Sequence, residues 1–190
     1  AGHTISTIDL GGGLGINYDQ LNDNAPSEAD YALVAMDTVG HLGCKIIVEP
    51  GRSLVGNAGV LVGSVIYTKT NGDSKFLIID AAMNDLIRPA LYQAHHEIWP
   101  VKQPGEDAPL SPIDVVGPVC ESTDKFARER PLPALVEGDL IAFLSAGAYG
   151  AVLSSQYNAR PLVPEVLVDG DTYKIIRRRP DFDHMIALEV

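Results

Sequence analysis

Apolar residues in this chain come in short blocks separated by Gly, Pro and Asn-Gly or Asp-Gly pairs, and the spacing of the blocks changes part-way along. Thr4–Leu10 is apolar and rich in β-branched residues and stops at Gly11-Gly12-Gly13, which predicts a buried strand running into a tight loop. Pro26 and Ser27 open a helical pattern with Tyr31, Leu33, Val34, Val39 and Leu42 on an apolar face and Gly43 as its stop. Lys45–Val48 predicts a second buried strand, followed by Glu49-Pro50-Gly51-Arg52. Strand, helix, strand with near-continuous apolar strands is the pattern of a parallel βαβ unit.

After Val55 the texture becomes strand-like. Val60–Thr70, Lys75–Asp80, Ile113–Val119, Asp139–Ser145, Glu165–Val168 and Thr172–Arg177 alternate with turns such as Asn71-Gly72-Asp73 and Asp169-Gly170-Asp171. That spacing predicts a mainly antiparallel β domain or barrel. Two helices are expected within it, Asp85–His95 and Ala148–Tyr157. The boundary falls near Ser53–Ala58, giving an α/β portion at 1–55 and a β domain at 56–190. A βαβ unit cannot cover its own sheet edges, so 1–55 reads as the tail of a larger domain and the chain as a fragment.

Composition narrows the class. With 190 residues, 46% hydrophobic and 21% charged, the chain suits a globular protein with a sizeable core. A net charge of −11 argues against nucleic acid, and Arg177-Arg178-Arg179 reads as a solvated edge. No apolar stretch approaches the roughly 20 residues that span a bilayer, and Ala1–Leu10 lacks the pattern of a signal peptide. Cys44 and Cys120 read as free thiols in a reducing cytoplasm, Cys44 as a small buried hydrophobe.

Glycines directly after a strand let backbone N–H groups close on a phosphate, although Gly11–Gly15 alone reads more readily as a plain turn. A second loop of the same kind, Glu49-Pro50-Gly51-Arg52, follows the next parallel strand. Barrels of the (β/α)8 type commonly build a phosphate site from the loops after their last two strands. Arg52 and Arg88 offer planar forks for carboxylates. His95, His96 and Glu97 do not make a metal site, because adjacent histidines diverge and no third ligand has suitable spacing. Asp181, Asp183 and His184 read as surface.

Five segments in order, IDLGGGLG, VEPGRSLVGNAG, DAAMNDLIRPALY, GPVCESTD and SAGAYG, resemble the C-terminal half of the diaminopimelate decarboxylases, within the alanine-racemase-like, fold type III family of pyridoxal-phosphate enzymes. The resemblance covers essentially the whole chain. It implies a fold in which 1–55 holds the last two strands of a (β/α)8 barrel and 56–190 is a C-terminal β domain. It implies pyridoxal 5'-phosphate as cofactor, with Gly12, Gly13, Glu49, Pro50, Gly51, Arg52 and Tyr149 around it. Glu49 would face the pyridine nitrogen, and Tyr149 would add its hydroxyl to the phosphate. Arg52, Arg88, Tyr92, Glu121 and Tyr149 would bind the substrate, and Cys120 would donate the proton that replaces CO2. In the family, Cys120 and Glu121 would enter the neighbouring subunit's site, so a homodimer with shared active sites is expected.

The reaction so implied is decarboxylation of meso-diaminopimelate to L-lysine. The lysine that anchors the cofactor belongs to the barrel's first part, and no lysine here sits in a matching context. Two alternatives follow from the same residues. One is a sister enzyme acting on another basic amino acid or a carboxylated polyamine. The other is a non-catalytic homologue that regulates a complete partner. A second carboxylate needs a second arginine, and Arg88, Tyr92 and Cys120-Glu121-Ser122 favour diaminopimelate.

Overall fold

The computed structural model describes residues 2–19, 24–105 and 107–190. β1 (Thr7–Asp9) and β2 (Lys45–Ile47) pair in parallel, with α1 (Glu28–Val39) between them in sequence. Ser27 caps α1 as its sequence suggests. Its Oγ accepts from the Asp30 amide at 3.1 Å while the Asp30 carboxylate accepts from the Ser27 amide, a reciprocal box at the helix start. The two strands are less buried than expected: only their central residues, Ile8 and Ile46, are half-buried. Among the described residues no third strand flanks them, and Leu33, Val34 and Leu42 on the predicted apolar face also remain exposed. Cys44 is half-buried, its thiol directed at the Ile5 carbonyl at 3.3 Å.

Past the short helix α2 (Gly51–Val55) the chain builds a six-stranded sheet. Its strands are β3 (Leu61–Asn71), β4 (Ser74–Ile79), β5 (Ile98–Pro100), β6 (Ser111–Val116), β7 (Lys125–Leu132) and β8 (Leu140–Phe143), in spatial order β5-β8-β3-β4-β6-β7. Four neighbouring pairs are antiparallel and one, β4 with β6, is parallel, so the sheet is mixed. A register shift between Val65 and Tyr67 lets the first half of β3 pair with β8 and its second half with β4. Val65, Leu77, Ile79, Ile98, Val115, Phe126, Ile141 and Phe143 form the core, with the Phe126 and Phe143 rings 4.5 Å apart. A separate hairpin, β9 (Glu165–Asp169) with β10 (Thr172–Arg177), turns at Gly170, and the short helix α4 (Phe182–Ile186) follows. Asp181 caps α4 and bonds His184, both exposed as expected.

Both strands that the sequence did not announce, β5 and β7, are the outer edges of the sheet. Each contains a proline, Pro100 or Pro131, which an edge tolerates because one side of an edge strand needs no N–H donors. The predicted helix at Asp85–His95 shrinks to α3 (Arg88–Tyr92). Asp85 instead closes a turn, accepting from the Ala82 amide at 2.9 Å, and Gln93 at φ 54° ends the helix. The helix expected at Ala148–Tyr157 is two 3-10 turns, Ala151–Leu153 and Tyr157–Ala159, because Tyr149 at φ 58° and extended Ser154 interrupt it. Among the described residues no helix is long and apolar enough to cross a membrane.

Candidate active site

The loops after β1 and β2 lie side by side at the same end of the parallel pair. The Glu49 amide donates to the Gly11 carbonyl at 2.8 Å, and Leu10 donates to Ile47 at 3.0 Å. Gly11 and Gly13 take φ values of 71° and 98°, which side chains disfavour. A Cβ on Gly12 would lie 2.4 Å from the Glu49 carbonyl oxygen, so only glycine allows the loops to close this far. The Gly12, Gly13 and Arg52 amides donate to no described residue. The Gly51 amide, by contrast, is turned back onto the Glu49 carbonyl at 2.9 Å. The Glu49 side chain is exposed.

Residues 145–150 are pressed backbone to backbone onto the end of α2 and the segment that follows it. Ala146 donates to the Gly59 carbonyl at 2.8 Å and Gly147 to the Gly56 carbonyl at 3.0 Å, and a Cβ on Gly147 would overlap the Val55 carbonyl oxygen. The contact carries Tyr149 to Arg52, whose guanidinium lies 5.9 Å from the ring centroid. Tyr149 holds φ 58°, an unusual conformation for a side-chain-bearing residue and common at ligand sites. Nε of Arg52 is buried with no hydrogen-bond partner, so the cradle contains a cationic donor lacking an acceptor. Two free glycine amides, the Arg52 amide and this orphan donor fit an anion such as a cofactor phosphate.

Arg88 and Tyr92 share α3 but not a surroundings. Arg88 is 7% exposed, its guanidinium 4.3 Å from the Tyr18 ring centroid and its Nη1 donating to Nε2 of His96 at 3.1 Å. Tyr92 stands out in solvent. The preceding loop is held by Arg160, which donates to the Asn84 side chain at 3.0 Å and the Asp80 carbonyl at 2.6 Å.

Cys120 and Glu121 lie on another loop, at 117–124, closed by buried Asp124. The Asp124 carboxylate accepts from the Val119 and Met83 amides, each at 2.7 Å, and a Cβ on Gly117 would sit 2.3 Å from its oxygen. Burial raises the Asp124 pKa above its usual value despite these bonds. Cys120 is exposed; Asn158 Nδ2 reaches its sulfur at 3.8 Å, and the Tyr157 hydroxyl donates to Glu121 at 2.5 Å. That bond holds the proton on Tyr157 and raises its pKa. Among the described residues, no hydrogen bond, ion pair or ring contact links Cys120 or Glu121 to Gly12, Glu49, Arg52, Arg88 or Tyr149.

His95 and His96 do diverge. His96 turns inward, and His95 bonds Glu97 at 3.1 Å. A third ligand does come close, because Asp19, His95 and Glu97 place ligand atoms within 4.8 Å of one another. Arg130 already supplies the cation there, 3.5 Å from Glu97 and 3.2 Å from the His95 ring. The sequence reading missed Tyr18, His96, Asp124, Tyr157 and Arg160. Each acts through a partner far away in sequence, and only the flanking LGGGLGINY and YQAHHEI segments hinted at the first two.

The sequence profile of the pyridoxal-dependent decarboxylases, C-terminal sheet domain, matches residues 8–147. The chain belongs to that family. A curated diaminopimelate decarboxylase from Zymomonas mobilis is 47% identical over 189 residues, covering all of this chain and 44% of the relative. A crystal structure of an Aquifex aeolicus protein superimposes with a TM-score of 0.92 at 43% identity, over 100% of this chain and 47% of the other. Diaminopimelate decarboxylase from Helicobacter pylori, solved in complex with L-lysine, does so with a TM-score of 0.87 at 42% identity, over 96% and 44%. The chain thus spans less than half the length of these relatives.

Proposed function

We propose that this chain is the C-terminal portion of a pyridoxal-phosphate-dependent diaminopimelate decarboxylase, which releases CO2 from meso-diaminopimelate and leaves L-lysine. Residues 1–55 would contribute the last two strands of a (β/α)8 barrel, and 56–190 the C-terminal β domain. The observation that carries the reading is the cradle: two glycine loops at the ends of parallel strands, free amides, and a buried Arg52 donor without an acceptor. The parent is a cytoplasmic homodimer in this account, a compartment that keeps exposed Cys120 reduced.

The amides of Gly12, Gly13 and Arg52 hold the cofactor phosphate together with the Tyr149 hydroxyl, and Gly51 and Pro50 shape the loop beside it. Gly51 contributes its lack of a side chain rather than its amide. Bound pyridoxal phosphate supplies the electron sink for the carbanion that CO2 leaves behind. Glu49 keeps a proton on the pyridine nitrogen. Arg52 and Arg88 take the substrate carboxylates, Tyr92 closes over the substrate, and Glu121 accepts the distal ammonium. The Cys120 thiol delivers a proton to carbon, a task for which a thiol is a far stronger acid than a hydroxyl. No hydrogen bond joins the Cys120 loop to its own cradle among the described residues, and in this reading the loop serves the partner's site.

The test is CO2 release by the full-length protein from meso-diaminopimelate, L-lysine and L-ornithine. A site built for a second carboxylate should prefer diaminopimelate by about 100-fold or more in kcat/KM. Preference for ornithine or lysine contradicts the reading.

A further inference from the structure

Arg88 is held from two sides before any substrate arrives. The Tyr18 ring covers its face at 4.3 Å, and Nε2 of His96 accepts from Nη1 at 3.1 Å. His96 is itself fixed. It is 1% exposed, Nδ1 lies 2.8 Å from the Leu144 carbonyl at the end of β8, and the Tyr18 ring meets it edge-on at 5.4 Å. A carbonyl can only accept, so Nδ1 carries the proton. Nε2 is then the lone-pair nitrogen that a guanidinium requires. Burial, with the charge of Arg88 beside it, lowers the His96 pKa to about 4, so this neutral tautomer persists at neutral pH. With Nη1 engaged, the free edge of Arg88 is Nε with Nη2, which donate to no described residue and form the side-on fork that grips a carboxylate.

We propose that His96 is a positioning residue: anchored to Leu144 and assisted by Tyr18, it sets the plane of Arg88 so that the Nε–Nη2 edge meets the substrate's distal carboxylate. This rests on the reading of Arg88 as the ligand of that carboxylate. Lysine would hold Arg88 less well than histidine does, since it has no acceptor, and a carboxylate at position 96 would pair with the guanidinium and compete with substrate.

The test compares two ligands of the full-length holoenzyme by calorimetry. L-Lysine keeps the distal carboxylate, whereas cadaverine lacks it. Asn at position 96 can still donate to Leu144 but cannot reach Arg88; Gln can reach Arg88. His96→Asn should therefore weaken L-lysine binding by about tenfold or more and cadaverine by less than about threefold, while His96→Gln stays within about threefold of wild type for both. A purely structural role would weaken both ligands alike, and an unchanged lysine-to-cadaverine ratio in His96→Asn overturns the proposal. If that variant does not fold, Tyr18→Leu must give the same lysine-selective loss, and an unchanged ratio there overturns it too. Arg88→Ala separates the two layers. If it leaves the ratio unchanged, Arg88 itself is misassigned; if it alters the ratio while His96→Asn does not, only the role of His96 falls.

Discussion

Arg88 and His96 behave as one unit, yet their single-residue consequences differ. In the full-length enzyme Arg88→Ala should raise the KM for diaminopimelate by several-fold to a few hundred-fold, about 1.5–3 kcal/mol for a lost charge-assisted contact. Cofactor affinity should stay level, because Arg88 makes no contact with the glycine cradle; a fall in cofactor affinity at constant KM contradicts the assignment. His96 also affects stability. Its native pKa is depressed from 6.5 to about 4, so between those values the unfolded chain binds a proton that the native state refuses. Stability is therefore lost as pH falls through that window, by up to about 3 kcal/mol in all. His96→Gln removes the titrating ring, and its urea midpoint should drop less between pH 7 and pH 5 than that of the wild type. Equal drops would show that His96 takes up a proton as readily in the native state as in the unfolded chain.

At the scale of elements, the loops assigned to the candidate site are closed by glycines where another atom needs the space. Gly117→Ala would drive a Cβ into the Asp124 carboxylate that closes the Cys120 loop. It should cost about 1–3 kcal/mol and slow turnover more than it alters KM, read from the denaturation midpoint and steady-state kinetics. An unchanged midpoint would mean that the loop is not held by Asp124. Regular elements were legible where propensity and period act locally: the Ser27 cap, the two-residue turns at Gly72 and Gly170, and the strands β3, β4, β6 and β8–β10. Edge strands β5 and β7 were not, because Pro100 and Pro131 disguise them and only sheet order shows that an edge tolerates proline. The candidate site was legible as five motifs, but not the contacts among them. Tyr18 on Arg88, His96 on Leu144 and Tyr157 on Glu121 join residues whose separation in sequence carries no period.

For the whole molecule, the described surface leaves much apolar area uncovered. Leu33 and Val34 on α1 and Val168 and Tyr173 on the hairpin are each at least 66% exposed. The 190-residue chain expressed by itself should accordingly self-associate or capture its barrel partner, and a monodisperse monomer in sedimentation contradicts this. The central claim is that the cradle of one chain and the Cys120–Glu121 loop of another make one site. The most direct measurement mixes full-length Cys120→Ser protein with a variant lacking the cofactor-anchoring lysine, each inactive alone, and follows CO2 release from meso-diaminopimelate. Within a mixed dimer one of the two sites has both groups intact, so activity should return as subunits exchange. No recovery despite verified exchange would mean that Cys120 serves its own chain.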